Sequence, residues 1–172
     1  MARINIEIKA KCSNHDEIRK ILKSKNADFK GIDHQVDTYF NVKNGRLKLR
    51  EGSIENNLIQ YSRPNISGPK QSDFSLFKTE PNSELKRLLI NSLGAMIVVD
   101  KQREISYIDN IKFHLDKVKG LGKFVEIEVE GEKKEGAYEQ LKAQCDVYLK
   151  LFKIEEKDLI HNSYSDMLLE IS

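Results

Sequence analysis

Residues 3–12 read RINIEIKAKC, and their strict alternation decides the fold class. Ile4, Ile6, Ile8, Ala10 and Cys12 fall on one side of an extended chain, while Arg3, Asn5, Glu7, Lys9 and Lys11 fall on the other. A sustained period of two marks a β-strand with two unlike faces. The pattern returns in Arg46-Leu47-Lys48-Leu49-Arg50 and in FVEIEVEGE at 124–132. Asn44-Gly45 stands just before the first of these, and both residues suit the positive φ of a tight hairpin turn.

Working outward, 35–41, 58–63, 74–79, 96–107 and 111–118 also read as strands, with Pro64 stopping one and Asp109-Asn110 joining the last two. A loop is expected around Gly31, and another over 65–72, which is polar and holds Gly68 and Pro69. Helices are predicted from a cap at Ser13 or Asn14, from Ser83 to a stop at Gly94, and over 135–152 and 158–169. That amounts to seven or eight strands and four helices without regular strand–helix–strand units, so a parallel α/β fold is not expected. The expectation is one α+β domain over 1–172, an antiparallel barrel or strongly curved sheet with helices outside it.

Composition narrows the function classes. The 29 Lys and Arg nearly balance 27 Asp and Glu, which argues against a nucleic-acid partner. Cys12 and Cys145 lie far apart with no CxxC spacing, so a zinc site is not expected and both read as reduced thiols. No apolar stretch approaches the roughly 20 residues of a membrane helix, and the charged start lacks a secretion signal. No membrane partner and a cytoplasmic location are expected.

The informative feature is how charge is sorted. Arg46, Lys48 and Arg50 share one strand face, Lys101 and Arg103 another, and Glu126, Glu128, Glu130 and Glu132 a third. Like charges two residues apart on one face lie about 7 Å from each other and repel. They could point into water or form cross-strand ion pairs. Alternatively they line a barrel interior, where cations would hold an anionic ligand and carboxylates would hold metal ions bridging to it. The apolar outer face would then need cover, which the stripes Ile18/Ile21/Leu22 and Leu85/Leu88/Leu89 could provide. Tyr39 and Tyr61 are read as packing residues.

Several short motifs, in order, carry a family resemblance. They are Asn5-Ile6-Glu7-Ile8-Lys9, the basic strand after Gly45, Leu58–Pro64 as LIQYSRP, Lys101-Gln102-Arg103, His114-Leu115-Asp116 followed by GLGKFVEIE at 120–128, and SYSDML at 163–168. Together they resemble the CYTH superfamily, which groups class IV adenylyl cyclases with thiamine and inorganic triphosphatases. The resemblance implies an eight-stranded antiparallel tunnel. It implies metal ligation (Mg²⁺ or Mn²⁺) by Glu7, Glu126 and Glu128, and phosphate binding by Lys9, Arg46, Lys48, Arg50, Arg63, Lys101, Arg103 and Lys112. Catalytic roles fall to Lys9, His114 and Asp116. The implied ligand is a small-molecule triphosphate, ATP or tripolyphosphate, and a second copy of the chain is a candidate partner. Cyclisation of ATP to cyclic AMP and pyrophosphate, hydrolysis of a triphosphate, and non-catalytic binding all remain open, with the cyclase-like branch the nearest. Two departures stand out: Asn5 replaces the first Glu of the opening motif, and Lys112 stands where such cyclases commonly have Arg. Both weaken the expected grip, since an amide offers a dipole for a charge and Lys lacks the guanidinium fork.

Overall fold

The computed structural model describes residues 3–62, 65, 66, 68–71 and 73–172. In chain order it contains β1 (Arg3–Lys11), α1 (His15–Ser24), β2 (Asp28–Phe40), β3 (Arg46–Gly52), β4 (Asn56–Ser62), β5 (Lys70–Gln71) and β6 (Asp73–Lys78). Then follow α2 (Leu85–Leu93), β7 (Ala95–Ile108), β8 (Ile111–Val118), β9 (Gly122–Glu132), α3 (Ala137–Leu151), a 3₁₀ turn (Glu156–Asp158), β10 (Leu159–Ile160) and α4 (Tyr164–Ile171).

All pairings are antiparallel, and the hydrogen-bonded order is β10-β1-β9-β8-β7-β2-β3-β4-β6. β5 pairs with β1 at Ile6 and Glu7, while β6, starting at Asp73, pairs with β4. The sheet therefore curls into a nearly closed barrel. Register fixes what faces inward. Glu7 sits opposite Glu128 and Lys9 opposite Glu126, and β9 in turn sets Glu126 against His114 and Glu128 against Lys112. Asp37 lies opposite Arg50, and Arg103 opposite Asp116.

Because the inner face is charged, the main core lies outside the barrel. Ile4, Ile6, Ile8 and Ala10 of β1, Phe113 and Leu115 of β8, and Val125, Ile127 and Val129 of β9 pack under Ile18 and Leu22 of α1 and Leu141, Cys145 and Tyr148 of α3. A second cluster, Tyr39, Tyr61, Val99, Val118, Phe124 and Tyr164, fills one end of the barrel beneath α4.

Five expectations are corrected. The residues around Gly31 belong to β2, which absorbs the glycine as an irregularity between Phe29 and Gly31. Lys70 and Gln71, expected in a loop, form β5. The final helix begins at Tyr164 rather than at 158, because Leu159 and Ile160 pair with Ala10 and Lys9 of β1. Ser163 caps that helix, accepting from the Asp166 N–H at 3.1 Å while the Asp166 carboxylate accepts from the Ser163 N–H. The two short strands take the sheet beyond eight strands, and two-residue strands leave no periodicity to read. Finally, α2 buries none of its side chains, and Leu88 is 55% exposed. The covering role falls to α1 and α3.

Truncation should separate the two helix roles. Ile127→Ala, at a fully buried site under α3, should destabilise by about 2–5 kcal/mol. Leu88→Ala should stay within about 0.5 kcal/mol. Chemical denaturation of the two variants measures both.

Candidate functional site

The inward strand faces enclose a cavity of about 470 Å³. Among the described residues its walls carry Lys9, Lys48, Arg50, Lys78, Lys101, Arg103 and Lys112, against Glu7, Asp37, Glu55, Glu126 and Glu128. Seven cations thus face five carboxylates, so the cavity favours an anion. The remaining wall mixes apolar and aromatic side chains, among them Ile59, Leu76, Val99, Tyr39 and Tyr61, with the polar Asn5, Asn57, His114 and Ser163.

Two buried carboxylates organise the cations. Asp37 accepts from Arg50 Nε and Nη2, both at 2.9 Å, and from Lys101 Nζ at 3.0 Å, with Lys48 Nζ at 3.2 Å. Burial pushes the Asp37 carboxyl upward, but Arg50, Lys101 and Lys48 outweigh it and hold it well below the usual carboxylate range. Asp116 accepts from Arg103 Nε and Nη2 at 2.7 Å and from the Tyr164 hydroxyl at 2.6 Å. It is fully buried beneath Arg103. The sequence expectation put Asp116 at the reacting end; its geometry is that of an anchor for Arg103.

Glu126 is the hub of a third group. Lys9 Nζ lies 3.3 Å from it, Arg103 Nη2 donates at 3.2 Å, and His114 Nδ1 lies at 3.2 Å. Burial pushes the His114 imidazole down to about 4, and nearby Arg103 adds to this, so the ring is neutral at pH 7. With Nδ1 turned to Glu126, His114 Nε2 is buried without a hydrogen-bond partner. Lys9 also sits over the Tyr164 ring, 3.9 Å from its centroid. Burial lowers its pKa despite Glu126 and Asp116.

The expected metal ligands Glu7, Glu126 and Glu128 line one side of the cavity. Among the described residues, no group of three or more His, Cys, Asp and Glu side chains lies close enough to hold a metal ion unaided. The donor chemistry nevertheless fits a hard divalent cation. The Asn5 amide donates to Glu128 Oε1 at 3.2 Å, and its carbonyl oxygen is buried with no donor. Burial raises the Glu128 carboxyl, with Glu126 and Glu130 adding to the effect against Lys112. A cation here would meet an idle carbonyl and relieve crowded carboxylates.

Of the other expected residues, Lys48, Arg50, Lys101, Arg103 and Lys112 reach the cavity. Arg46 does not. It lines an adjoining pocket of about 270 Å³, which shares Tyr61 and Ser163 with the cavity, and it pairs with Asp166. Arg63 lies outside the described residues. Tyr39 and Tyr61, read as packing residues, are buried but also line the cavity, with Lys48 Nζ 5.5 Å from each ring centroid. Sequence reasoning missed Asp37, Glu55 and Tyr164. Gln35, Asp37 and Tyr39 alternate within QVDTYFN, a signal that could have placed Asp37 on the inner face.

This geometry meets a direct sequence match: the CYTH domain profile covers residues 3–164. The chain belongs to the CYTH domain family. No curated protein matches it by sequence. Among solved structures, this CYTH domain is similar to the PH1012 protein from Pyrococcus horikoshii OT3, at 22% identity and TM-score 0.76, covering 94% of this chain and 98% of that one. It is also similar to a candidate adenylate cyclase from Vibrio parahaemolyticus, at 20% identity and TM-score 0.77, covering 98% and 99%. A third, the Hippeastrum protein HpAC1, described as a candidate adenylyl cyclase with a dominant triphosphatase activity, shares 16% identity and TM-score 0.65 over 98% and 94%. These likenesses establish the tunnel fold.

Lys101 gives this CYTH domain a pH signature. Burial drives its ammonium down to about 7, and Arg103, Arg50 and Lys48 add to the fall while Asp37 opposes it. Below pH 7 the charged form attracts an anion; above it the attraction is lost unless binding draws a proton back. Tripolyphosphate affinity should therefore fall more steeply above pH 7 in the parent than in Lys101→Arg, which stays charged. Calorimetric titrations from pH 6 to 9, in which the ligand's own ionisation is common to both, measure the difference. Parallel profiles would show that Lys101 does not titrate in this range.

Proposed function

We propose that this CYTH domain is a metal-dependent enzyme acting on an organic triphosphate, with cyclisation of ATP to cyclic AMP and pyrophosphate as its reaction. The observation that carries the reading is the division of the cavity. Lys9, Lys101 and Arg103 form a cationic interior, while Glu7, Glu128 and Lys112 lie nearer Tyr107 and an outer pocket. That outer pocket, about 570 Å³, is lined by Ile54, Ile105 and Tyr107 with Asp28, Lys30 and Asp109 at its charged edge, and shares Glu55 and Tyr107 with the cavity. A bare phosphate chain has no use for the apolar surface of Ile54, Ile105 and Tyr107, whereas a nucleoside does.

With the terminal phosphates in the interior and the nucleoside outside, the α-phosphate comes to rest beside Glu7, Glu128 and Lys112. The ribose 3′-oxygen attacks that phosphorus, the bond to the bridging oxygen breaks, and pyrophosphate leaves. His114 Nε2, neutral and without a protein partner, takes the hydroxyl proton, with Glu126 orienting the ring through Nδ1. Arg103 and Lys101, held by Asp116 and Asp37, align the phosphates before the reaction and need no reorganisation during it. Magnesium or manganese held by Glu7 and Glu128 with the Asn5 carbonyl, and Glu126 next to them, would supply charge neutralisation and Lewis acidity.

Incubation with ATP and with tripolyphosphate, each with Mg²⁺ or Mn²⁺, and identification of the products tests this. Cyclic AMP and pyrophosphate from ATP are expected, and Glu128→Gln should lower turnover on the order of tenfold or more at limiting metal. Release of inorganic phosphate from either substrate would make the protein a triphosphatase. Turnover of neither would leave a binding module.

A further inference from the structure

Glu55 crosses the tunnel. It sits in the turn between β3 and β4 and reaches Lys112 on β8, a strand separated from β3 by β2 and β7. Lys112 Nζ lies 2.7 Å from Glu55 Oε1, while Arg50 Nη1 and Gln35 Nε2 donate to Oε2 at 3.1 and 3.3 Å. The carboxylate therefore separates the cavity from the outer pocket, both of which it lines.

The turn is built to hold it there. Fully buried Asp33 accepts from the backbone N–H groups of Ile54 and Glu55 at 2.9 and 3.0 Å, from the Ser53 hydroxyl at 3.0 Å and from Gln35 Nε2 at 2.8 Å. Gly52 lets the chain pass close over that carboxylate, for a Cβ there would lie 2.6 Å from the Glu55 carbonyl oxygen and 2.7 Å from Asp33 Oδ1. The Glu55 backbone is thus fixed independently of what its side chain binds.

Arg50 does not need Glu55 for its position, being gripped in two places by Asp37, whereas Lys112 hydrogen-bonds Glu55 and otherwise lies near the Tyr107 ring, 5.7 Å from its centroid. What Glu55 adds is a fixed negative charge at the end of the phosphate-binding interior.

We propose that Glu55 is a specificity-determining residue that selects an esterified triphosphate over an inorganic one. This rests on the triphosphate reading of the cavity. A terminal phosphate carries nearly two negative charges, while an esterified interior phosphate carries about one. An inorganic chain filling the interior must present a terminal phosphate to Glu55, and the two repel at short range in a medium less polarisable than water. An ester presents a neutral oxygen and then a sugar, whose hydroxyls can donate to the carboxylate, and its base continues into the pocket of Ile54, Ile105 and Tyr107.

The test is calorimetric binding of tripolyphosphate and of ATP, without metal, to the parent, Glu55→Gln and Glu55→Ala, with thermal melting to verify folding. Glu55→Gln removes the charge but keeps an acceptor, so tripolyphosphate should bind about fivefold tighter or more while ATP changes less than about twofold. Glu55→Ala should also tighten tripolyphosphate but weaken ATP. Equal changes for both ligands, or weaker tripolyphosphate binding in both variants, would overturn the proposal while leaving the tunnel reading in place. Failure of the parent and both variants to bind either ligand, without metal and again with Mn²⁺, would overturn the tunnel reading and this inference with it.

Discussion

A charge cannot be buried alone, and that constraint shapes this molecule. Arg50, Lys101 and Arg103 lie almost wholly out of solvent on the inner face of a small barrel. An isolated cation in such a place would lose its proton or unfold the chain. Asp37 and Asp116 counter this by gripping Arg50 and Arg103 in two places each, while Lys101, which only shares Asp37 with Lys48, keeps its charge below about pH 7. These pairs need not add net stability, since desolvation offsets most of their attraction. Their effect is to hold cations rigid around a space that, among the described residues, seven cations and five carboxylates make attractive to an anion. The charged interior in turn forces the apolar side chains outward, so the core forms between the barrel wall and the helices α1 and α3.

Much of this could be read from the chain. Alternation in RINIEIKAKC and FVEIEVEGE, with rows of like charge, was enough to propose an inward charged face, and register sets Glu7, Lys9, Glu126 and Glu128 side by side. The same reasoning did not find the partners of those charges. Asp37 meets Arg50 only through the β2–β3 register and Lys101 only as a diagonal neighbour across the β2–β7 register. Glu55 sits in a turn, where no periodicity says which way a side chain points. β5 and β10 are too short to carry a period, and β10 replaced a stretch read as helix. The stripe Leu85/Leu88/Leu89 was legible as amphipathic, but amphipathicity does not say whether anything packs against it.

Asn5 shows how a departure in sequence becomes physical. Its amide restrains Glu128 while its carbonyl stays idle in a buried place. A glutamate there would add a third carboxylate beside Glu7 and Glu128 and deepen their mutual repulsion. On the proposed metal reading, the asparagine trades affinity for a cation against stability without one. Lys112, likewise, delivers charge without a fork, and it lies against Glu55.

The claim on which the rest depends is that this face holds triphosphate and metal together. A crystal structure with a non-hydrolysable nucleoside triphosphate and Mn²⁺, with anomalous scattering to locate the metal, tests it most directly. The expected result is phosphates against Lys101 and Arg103, and an anomalous peak beside Glu7, Glu128 and Asn5. Phosphates bound on the outer surface, with the cavity and its carboxylates unaltered, would contradict it.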